Sequence, residues 1–270
     1  MVQLITQPEA AATGMSVKPI PSGPVTLAID IGGTGLKASI LDADGKMLND
    51  RVRVKTKYPC PPTAMVERLV ALTEPLGGYD RVSVGFPGVV RRGLVLSAPH
   101  FVTTNGPGTH ASKKLAAAWG RFDLAGGLAA ALGKPTKLIN DADMQGLEVM
   151  QGSGVELIIT LGTGMGNSVF QDGRLGPRLE LSHHPLLKGL TYNEYVGDAA
   201  RKEIGNKHWN KRVRKTLAVL DALFFYDRLY IGGGNSTRLK IDLDERATII
   251  DPNAGILGGI RLWDPSNAEL

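Results

Sequence analysis

Asp30-Ile-Gly-Gly-Thr-Gly-Leu-Lys-Ala-Ser-Ile-Leu-Asp-Ala-Asp-Gly45 decides the fold. It follows a β-rich run, Val25 to Asp30, and its spacing Gly33-x-Gly35-x-x-Ala38 formally satisfies a dinucleotide-binding fingerprint. That fingerprint needs a helix to open at the glycines. Instead Leu36, Ala38 and Ile40 alternate with Lys37, Ser39 and Leu41, Asp42 to Gly45 makes a turn, and Met47 to Lys55 resumes the alternation. The pattern predicts strand, hairpin, strand, hairpin, strand, and the dinucleotide reading fails.

Two further glycine turns stand behind hydrophobic runs, Thr160-Leu-Gly-Thr-Gly-Met-Gly166 and Ile231-Gly-Gly-Gly-Asn-Ser236, and an Asn140-Asp141 pair lies between the first turn and the second. Glycine lets the backbone approach oxygen atoms with no Cβ in the way, and successive N–H groups then form an anion-binding concavity. Three such turns predict a protein that handles phosphoryl groups.

The rest of the chain predicts two lobes. A helix is expected from an N-cap at Thr63 to about Leu72, a strand over Arg81–Phe86 and a long loop over Val102–Ser112. A helix over Asp123–Leu132 and a strand over Thr136–Ile139 follow, the strand delivering Asn140-Asp141 to a helix over Met144–Met150. Strand, glycine turn and strand then recur over Glu156–Leu161 and Asn167–Phe170. Helices dominate Asn193–Tyr226, a strand covers Arg228–Ile231, and a last helix runs from about Ala254 to Trp263. Mixed sheets flanked by helices, each lobe opening on a strand hairpin with a cleft between, make the class α/β.

At 270 residues the chain can bury one large domain or two ordinary lobes. No apolar run approaches the roughly 20 residues of a membrane span. Residues 1–23 lack a cationic start and a continuous apolar stretch, so a flexible tail is expected there, not a secretory signal. The one cysteine, Cys60, excludes an internal disulfide and a cysteine-built zinc site, and points to a reducing, cytoplasmic setting. A net charge of +5 and a pI near 9.3 suit an acidic partner and equally an ordinary basic cytoplasmic protein. The densest basic run, Lys207 to Lys215, reads either as a track for a polyanion or as the solvated face of a helix whose Val213, Leu217 and Leu220 are core. Asp141, at a strand-to-helix junction, reads as an N-cap or as a general base, and Asp143 as a cap or first-turn dipole partner.

Asp30 to Lys37, Gly85-Phe-Pro-Gly-Val89, Ser97-Ala-Pro99, Asn140-Asp-Ala-Asp143, Leu161 to Gly166, Glu180-Leu-Ser-His183, Ile231 to Gly234 and Asn253 to Gly258 occur in the order of the landmarks of the ROK sugar kinases. Over about residues 25–263 the chain resembles that family. Its wording looks most like the bacterial polyphosphate glucokinases and polyphosphate/ATP glucomannokinases. The resemblance implies a two-lobed actin-like (ribonuclease H-like) ATPase fold with a central cleft. Residues 24–139 and a C-terminal helix of about 257–270 would form the small lobe, and 140–256 the large one. It further implies Asp141 as general base, with Asn140, Asp141, Glu180 and His183 binding the sugar. Gly32, Gly33, Thr34, Gly35 and Lys37 would hold phosphate, faced by Gly162, Thr163 and Gly164. Gly232, Gly233 and Gly234 would meet adenosine or its equivalent along a longer polyanion, and Asp30 would serve Mg²⁺, which needs few protein carboxylates.

The activity implied is transfer of a phosphoryl group from polyphosphate or ATP to the 6-hydroxyl of glucose, with mannose as a second acceptor, in a homodimer without nucleic-acid or membrane partners. A strictly ATP-dependent kinase for another hexose or an amino sugar, and a non-catalytic sugar-binding protein, are the alternatives. A sugar-sensing regulator is not expected, since only about two dozen residues precede Val25. The chain departs from the family's wording in five respects. It has no cysteine-rich zinc loop, so no structural zinc is expected. Ser182 replaces a glycine and His184 doubles His183. His100 stands where asparagine is frequent, and the loop over 102–118 is long. These changes flank the expected sugar site and leave the sugar open.

Overall fold

The alternation around residue 30 becomes an antiparallel meander of β1 (Thr26–Ile31), β2 (Gly35–Leu41) and β3 (Val52–Lys55), with Asp30 opposite Lys37. β4 (Arg81–Phe86) and β5 (Thr136–Asn140) add in parallel on the other side of β1, giving the order β3-β2-β1-β4-β5. The second half repeats this strand for strand. β6 (Val155–Leu161), β7 (Met165–Gln171) and β8 (Arg174–Leu175) are antiparallel, and β9 (Arg228–Gly232) and β10 (Ala247–Ile249) extend the sheet in parallel, in the order β8-β7-β6-β9-β10. The computed structural model describes residues 23–251 and 253–267, so the tail expected over 1–23 lies, save for Gly23, outside the described residues.

Seven α-helices are present among the described residues. α1 (Pro62–Thr73) is capped at Pro61, two residues before the expected cap Thr63, which lies inside the helix; Pro62 takes the first helical position, where proline's fixed φ fits and its missing N–H costs nothing. The long-loop region contains α2 (Lys113–Trp119), capped by Ser112 and burying Leu115 and Trp119. α3 (Leu124–Leu132) is capped by Asp123 and closed by left-handed Gly133, φ +64°. α4 (Asp141–Val149) follows β5 directly. α5 (Tyr192–Val196) and α6 (Asp198–Phe224) fill the helical stretch, α6 being broken at Gly205, φ +74°. α7 (Ala254–Leu257) is shorter than the helix expected to reach Trp263. Gly258 passes so close to the Met144 carbonyl that no Cβ would fit, and the chain turns into a 3-10 segment, Ile260–Trp263.

Each sheet has its own core. In the first, Leu27, Ile29, Val84 and Phe86 pack with Met65 and Leu69 of α1, and Phe86, Phe101 and Trp119 cluster with ring centroids 5.4–5.5 Å apart. In the second, Leu157, Ile159 and Ile231 pack on Trp209, Val213 and Leu220 of α6. α4 wedges between the sheets: Met144 and Leu147 share one cluster with Ile139 of the first and Ile158, Phe170 and Tyr230 of the second. Strand ends, glycine turns and the start of α4 therefore meet in one gap. No helix among the described residues is long and apolar enough to cross a membrane.

Candidate active site

The gap is a cleft of about 600 Å³, and Asp30, Asp141 and residues of all three glycine turns line it. Parallel strands that end side by side create such a crevice at their carboxyl ends. Each turn exposes donors in the same way. Gly32 N–H closes the first turn on Gly35 O at 2.9 Å, and Gly162 N–H closes the second on Gly164 O at 2.9 Å. Gly33 and Thr34 in the first turn, Thr163 and Gly164 in the second, and Gly233 and Gly234 in the third have backbone N–H groups without a hydrogen-bond partner among the described residues. Adjacent unpaired N–H groups form an anion nest. The third turn is pressed onto the second: a Cβ on Gly233, φ +84°, would meet the Leu161 backbone, and Asn235 N–H donates to Leu161 O at 2.8 Å.

Asp141 is the first residue of α4, and Asn140 is its N-cap. Asn140 Oδ1 accepts from the N–H groups of Ala142 (2.8 Å) and Asp143 (3.2 Å), while its Nδ2 donates to the carbonyls of Phe86 (3.4 Å) and Gly88 (3.1 Å). Asn140 lines the cleft, as expected, but its amide is fully engaged within the protein. Capping by Asn140 frees Asp141 from that duty. One Asp141 oxygen accepts from Ala142 N–H at 2.9 Å, leaving the other for the cleft. Burial, then the negative charge of Asp30, pushes the Asp141 carboxyl up to about 8; the Ala142 N–H opposes the rise, and Asp143 and Glu180 add to it. Asp143 is buried and more than a first-turn dipole partner: it accepts from Ser168 Oγ at 2.7 Å and pairs with Arg178 at 3.1 Å, anchoring the loop that carries Glu180.

The other expected residues divide. Glu180 lines the cleft beside Ser182, and burial raises its carboxyl, opposed first by His183. His183 itself is exposed and outside the cleft lining, on the 3-10 turn Leu181–His183 that buries Leu181, while its ring stays close enough to His100 and Glu180 to act on both. Gly232 is also absent from the lining; it ends β9, packed against Gln145 and Ile250, so of that turn's three glycines only Gly233 and Gly234 reach the cleft. Asp30 Oδ2 holds Lys37 Nζ at 2.6 Å, a consequence of their opposite positions on β1 and β2.

Among the lining residues not assigned a role from the sequence, five are basic: His100, Arg51, Arg53, Arg201 and Arg238. His100 packs over the first turn, where a Cβ on Gly33 would meet its ring at 3.1 Å, and burial, then the nearby His183, lowers its imidazole to about 4. It is thus a neutral ring with one donor and one acceptor nitrogen. Its place directly after Ser97-Ala-Pro99 was the available signal. The arginines had none, being scattered singly along the chain. The basic run over 207–215 lies on α6, with Trp209, Asn210 and Val213 buried and Lys207, Lys211, Arg214 and Lys215 exposed away from the cleft lining.

With this geometry in place, comparison with known proteins is informative. The model of the ROK family matches residues 26–177. Polyphosphate glucokinase of Mycobacterium tuberculosis (strain CDC 1551 / Oshkosh) is 29% identical over 246 residues, covering 85% of this chain and 88% of that protein. Among solved structures, the inorganic polyphosphate/ATP-glucomannokinase from Arthrobacter sp. strain KM superposes with a TM-score of 0.75 at 30% identity, over 88% of this chain and 97% of its own. A ROK family glucokinase from Streptomyces griseus, solved with glucose and AMPPNP, shares the fold at a TM-score of 0.66 and 20% identity, over 88% of this chain and 98% of its own. The two-lobed actin-like architecture is that of these structures. More than half of the chain matches the family's own model, and the chain belongs to the ROK family.

Proposed function

We propose that this protein transfers a phosphoryl group from inorganic polyphosphate, ATP or both to the 6-hydroxyl of glucose, with mannose as a second acceptor. The observation that carries the reading is the convergence of three pairs of unpartnered backbone N–H groups on one cleft whose floor bears Asp141. The names of the polyphosphate-using relatives at 29% and 30% identity support the donor and the sugar.

Phosphoryl transfer asks for positioning and charge stabilisation. In this reading the turns hold the donor's terminal phosphates by their N–H groups. Asp141 takes the proton of the sugar hydroxyl as its oxygen bonds to phosphorus and the bond to the departing phosphate breaks. A carboxylate with a raised pKa is a stronger base than an ordinary one once ionised. Glu180 and His100 supply an acceptor and a mixed donor–acceptor for vicinal hydroxyls. His183 reaches the sugar only through Glu180 and His100, and Asn140 holds Asp141 in place.

Mg²⁺ fits the donor set. It is content with one carboxylate, phosphate oxygens and water, and Asp30 has a carboxylate in the cleft with one oxygen outside its pair with Lys37. When bound, the ion would neutralise charge on the donor's phosphate oxygens. Residues 24–139 with the C-terminal segment from about 257, and residues 140–256, are the lobes we propose; packing of Leu257 and Ile260 on the cluster of Ala28 and Leu41 supports joining the end of the chain to the first. A cytoplasmic homodimer completes the reading, and light scattering would test its mass.

A coupled assay of polyphosphate and ATP against glucose, mannose and an N-acetylated amino sugar is the direct test. Formation of glucose 6-phosphate is expected. Glucose binding by calorimetry with no turnover on either donor would make this a sugar-binding protein instead. ATP-only activity on a different sugar would move it to another branch of the family.

A further inference from the structure

We infer that Arg53 and Arg238 are the two jaws of a subsite for the distal phosphates of a donor without a nucleobase, so that inorganic polyphosphate is preferred over ATP. This rests on the phosphotransferase reading above.

The cleft wall carries five cations, and most are already engaged. Lys37 pairs with Asp30 at 2.6 Å, and Arg51 donates to Asn253 at 2.8 Å. Arg201 donates to Asp198 at 2.9 and 2.7 Å and to Asn206 at 3.1 Å. The guanidinium groups of Arg53 and Arg238 have no ion-pair or hydrogen-bond partner among the described residues, and both side chains are exposed on the cleft wall. They stand on different sheets. Arg53 is on β3 and lies across the first turn, where a Cβ on Gly35 would meet its Nε at 3.2 Å. Arg238 ends the 3-10 segment Ser236–Arg238, directly after the third turn. A chain of phosphates leaving the glycine turns would pass a guanidinium from each lobe, and the guanidinium fork matches phosphate oxygens two at a time.

The composition of the wall argues against a nucleobase. Adenine sites offer apolar or aromatic faces to the ring. Among the described residues no Phe, Tyr or Trp side chain lines this cleft, its one aromatic ring is the His100 imidazole over the first turn, and its apolar side chains are Pro87, Pro99 and Met165. Pro87 and Pro99 adjoin Gly88 and His100, on the acceptor side. The side chains lining the cleft around the third turn, Asn235, Arg238, Asp198, Arg201 and Gln145, are all polar or charged. That surface suits a polyanion and offers a ring nothing to lie on except a guanidinium plane.

The test is steady-state kinetics of full-length Arg53→Ala, Arg238→Ala and the two lysine replacements with long-chain polyphosphate, tripolyphosphate and ATP at saturating glucose. Each alanine variant is expected to raise KM for long-chain polyphosphate about tenfold, with kcat moved less than about twofold. The rise of KM with salt should become shallower, since exposed charge contacts are screened. KM for tripolyphosphate and ATP should move far less, lysine should restore part of the loss, and Lys211→Ala in the run on α6 should change none of these. Unchanged KM for long chains in both alanine variants would overturn the inference. So would an equal rise for ATP, which would mean that the guanidinium stacks on the base. Wild-type protein that uses ATP and ignores polyphosphate overturns the inference while sparing the phosphotransferase reading. Absence of turnover on every donor defeats the reading itself.

Discussion

The two glycine hairpins present the same donors but are braced differently. The first is held from one short segment: Thr56 Oγ1 donates to Gly32 O at 2.8 Å, Tyr58 Oη to Gly33 O at 2.7 Å and Thr56 N–H to Thr34 O at 3.3 Å. The second is held from three elements. Met165 N–H donates to Asn193 on α5 at 2.8 Å, Asp198 N–H on α6 reaches Gly162 O and Thr163 O at 3.1 and 3.2 Å, and Asn235 Nδ2 reaches Gly162 O at 3.2 Å. Asn235 also donates to Asp198 at 3.2 Å, tying the third turn to the second. Both solutions consume the carbonyl oxygens and leave adjacent N–H groups pointing at nothing. What the repeated fold preserves is therefore a pair of free donors, while the scaffold behind them differs. The first hairpin depends on local chain; the second is tied by hydrogen bonds to α5, α6 and the third turn.

If both hairpins serve one reaction, removing the carboxylate between them should silence both at once. Asp141→Asn is expected to lower kcat about 10³-fold while leaving glucose affinity within about threefold by calorimetry. A near-normal rate would break the link between floor and turns. In the wild type, kcat/KM for the sugar should rise with pH along a limb near 8, because the free-enzyme carboxyl must ionise to act. The stability effect has the opposite sign. Asp141 has a folded-state pKa above the ordinary 3.8, so its ionisation is opposed by the fold, and stability held at acid pH is lost as pH climbs from near 3.8 toward 8. Asp141→Asn should consequently melt about 5 °C above wild type at pH 9 and level with it at pH 4.

The duplication was partly legible in the chain. Strand, glycine turn and strand could be read twice because strict alternation and Gly-x-Gly spacing are local signals, and β1–β2 and β6–β7 formed where that pattern stood. Asp141 was legible as a junction residue, but its release from capping was not, since that depends on Asn140 reaching back to Phe86 and Gly88, more than fifty residues away. The braces were invisible for the same reason: Asn193, Asp198 and Asn235 carry no local pattern and acquire meaning only once α5 and α6 dock. His183 and Gly232 illustrate the converse. A motif places the residue type, but a single 3-10 turn or the last step of a strand decides whether it lines the cleft. The basic run over 207–215 drew attention by density, whereas the cleft's cations are dispersed from Lys37 to Arg238.

The difference in bracing predicts unequal responses to one added methyl group. On Gly164 it would overlap the Asn193 side chain, whose Oδ1 is committed to Met165 N–H, so the second turn must shift together with α5. On Gly33 it would meet Pro107 Cγ at 3.0 Å and His100 Cγ at 3.1 Å, both side-chain atoms that can yield by a few tenths of an ångström. Misplacement of donor-holding groups by about 1 Å costs roughly 10² in rate. Gly164→Ala should therefore lower kcat/KM for the donor about 100-fold, and Gly33→Ala about tenfold. Equal losses in a side-by-side assay would mean that the second hairpin is no more tightly coupled to its surroundings than the first.

The finest test uses the position where the hairpins differ in free space. A Cβ on Gly32 would meet Gly35 O of its own turn at 2.9 Å, so alanine there distorts the hairpin itself. A Cβ on Gly162 meets nothing within 4 Å. Gly162→Ala should leave the melting temperature within about 1 °C of wild type, as surface substitutions without new contacts do. Gly162 lines the cleft, so the added methyl group occupies space that donor oxygens would otherwise fill. KM for the donor is expected to rise about fivefold with KM for the sugar unmoved, a loss close to 1 kcal/mol. A variant that folds normally and keeps its donor KM would show that phosphate never reaches the second turn. The first hairpin would then hold the donor alone, and the repeated geometry would be a relic of the duplicated sheet instead of half of a clamp.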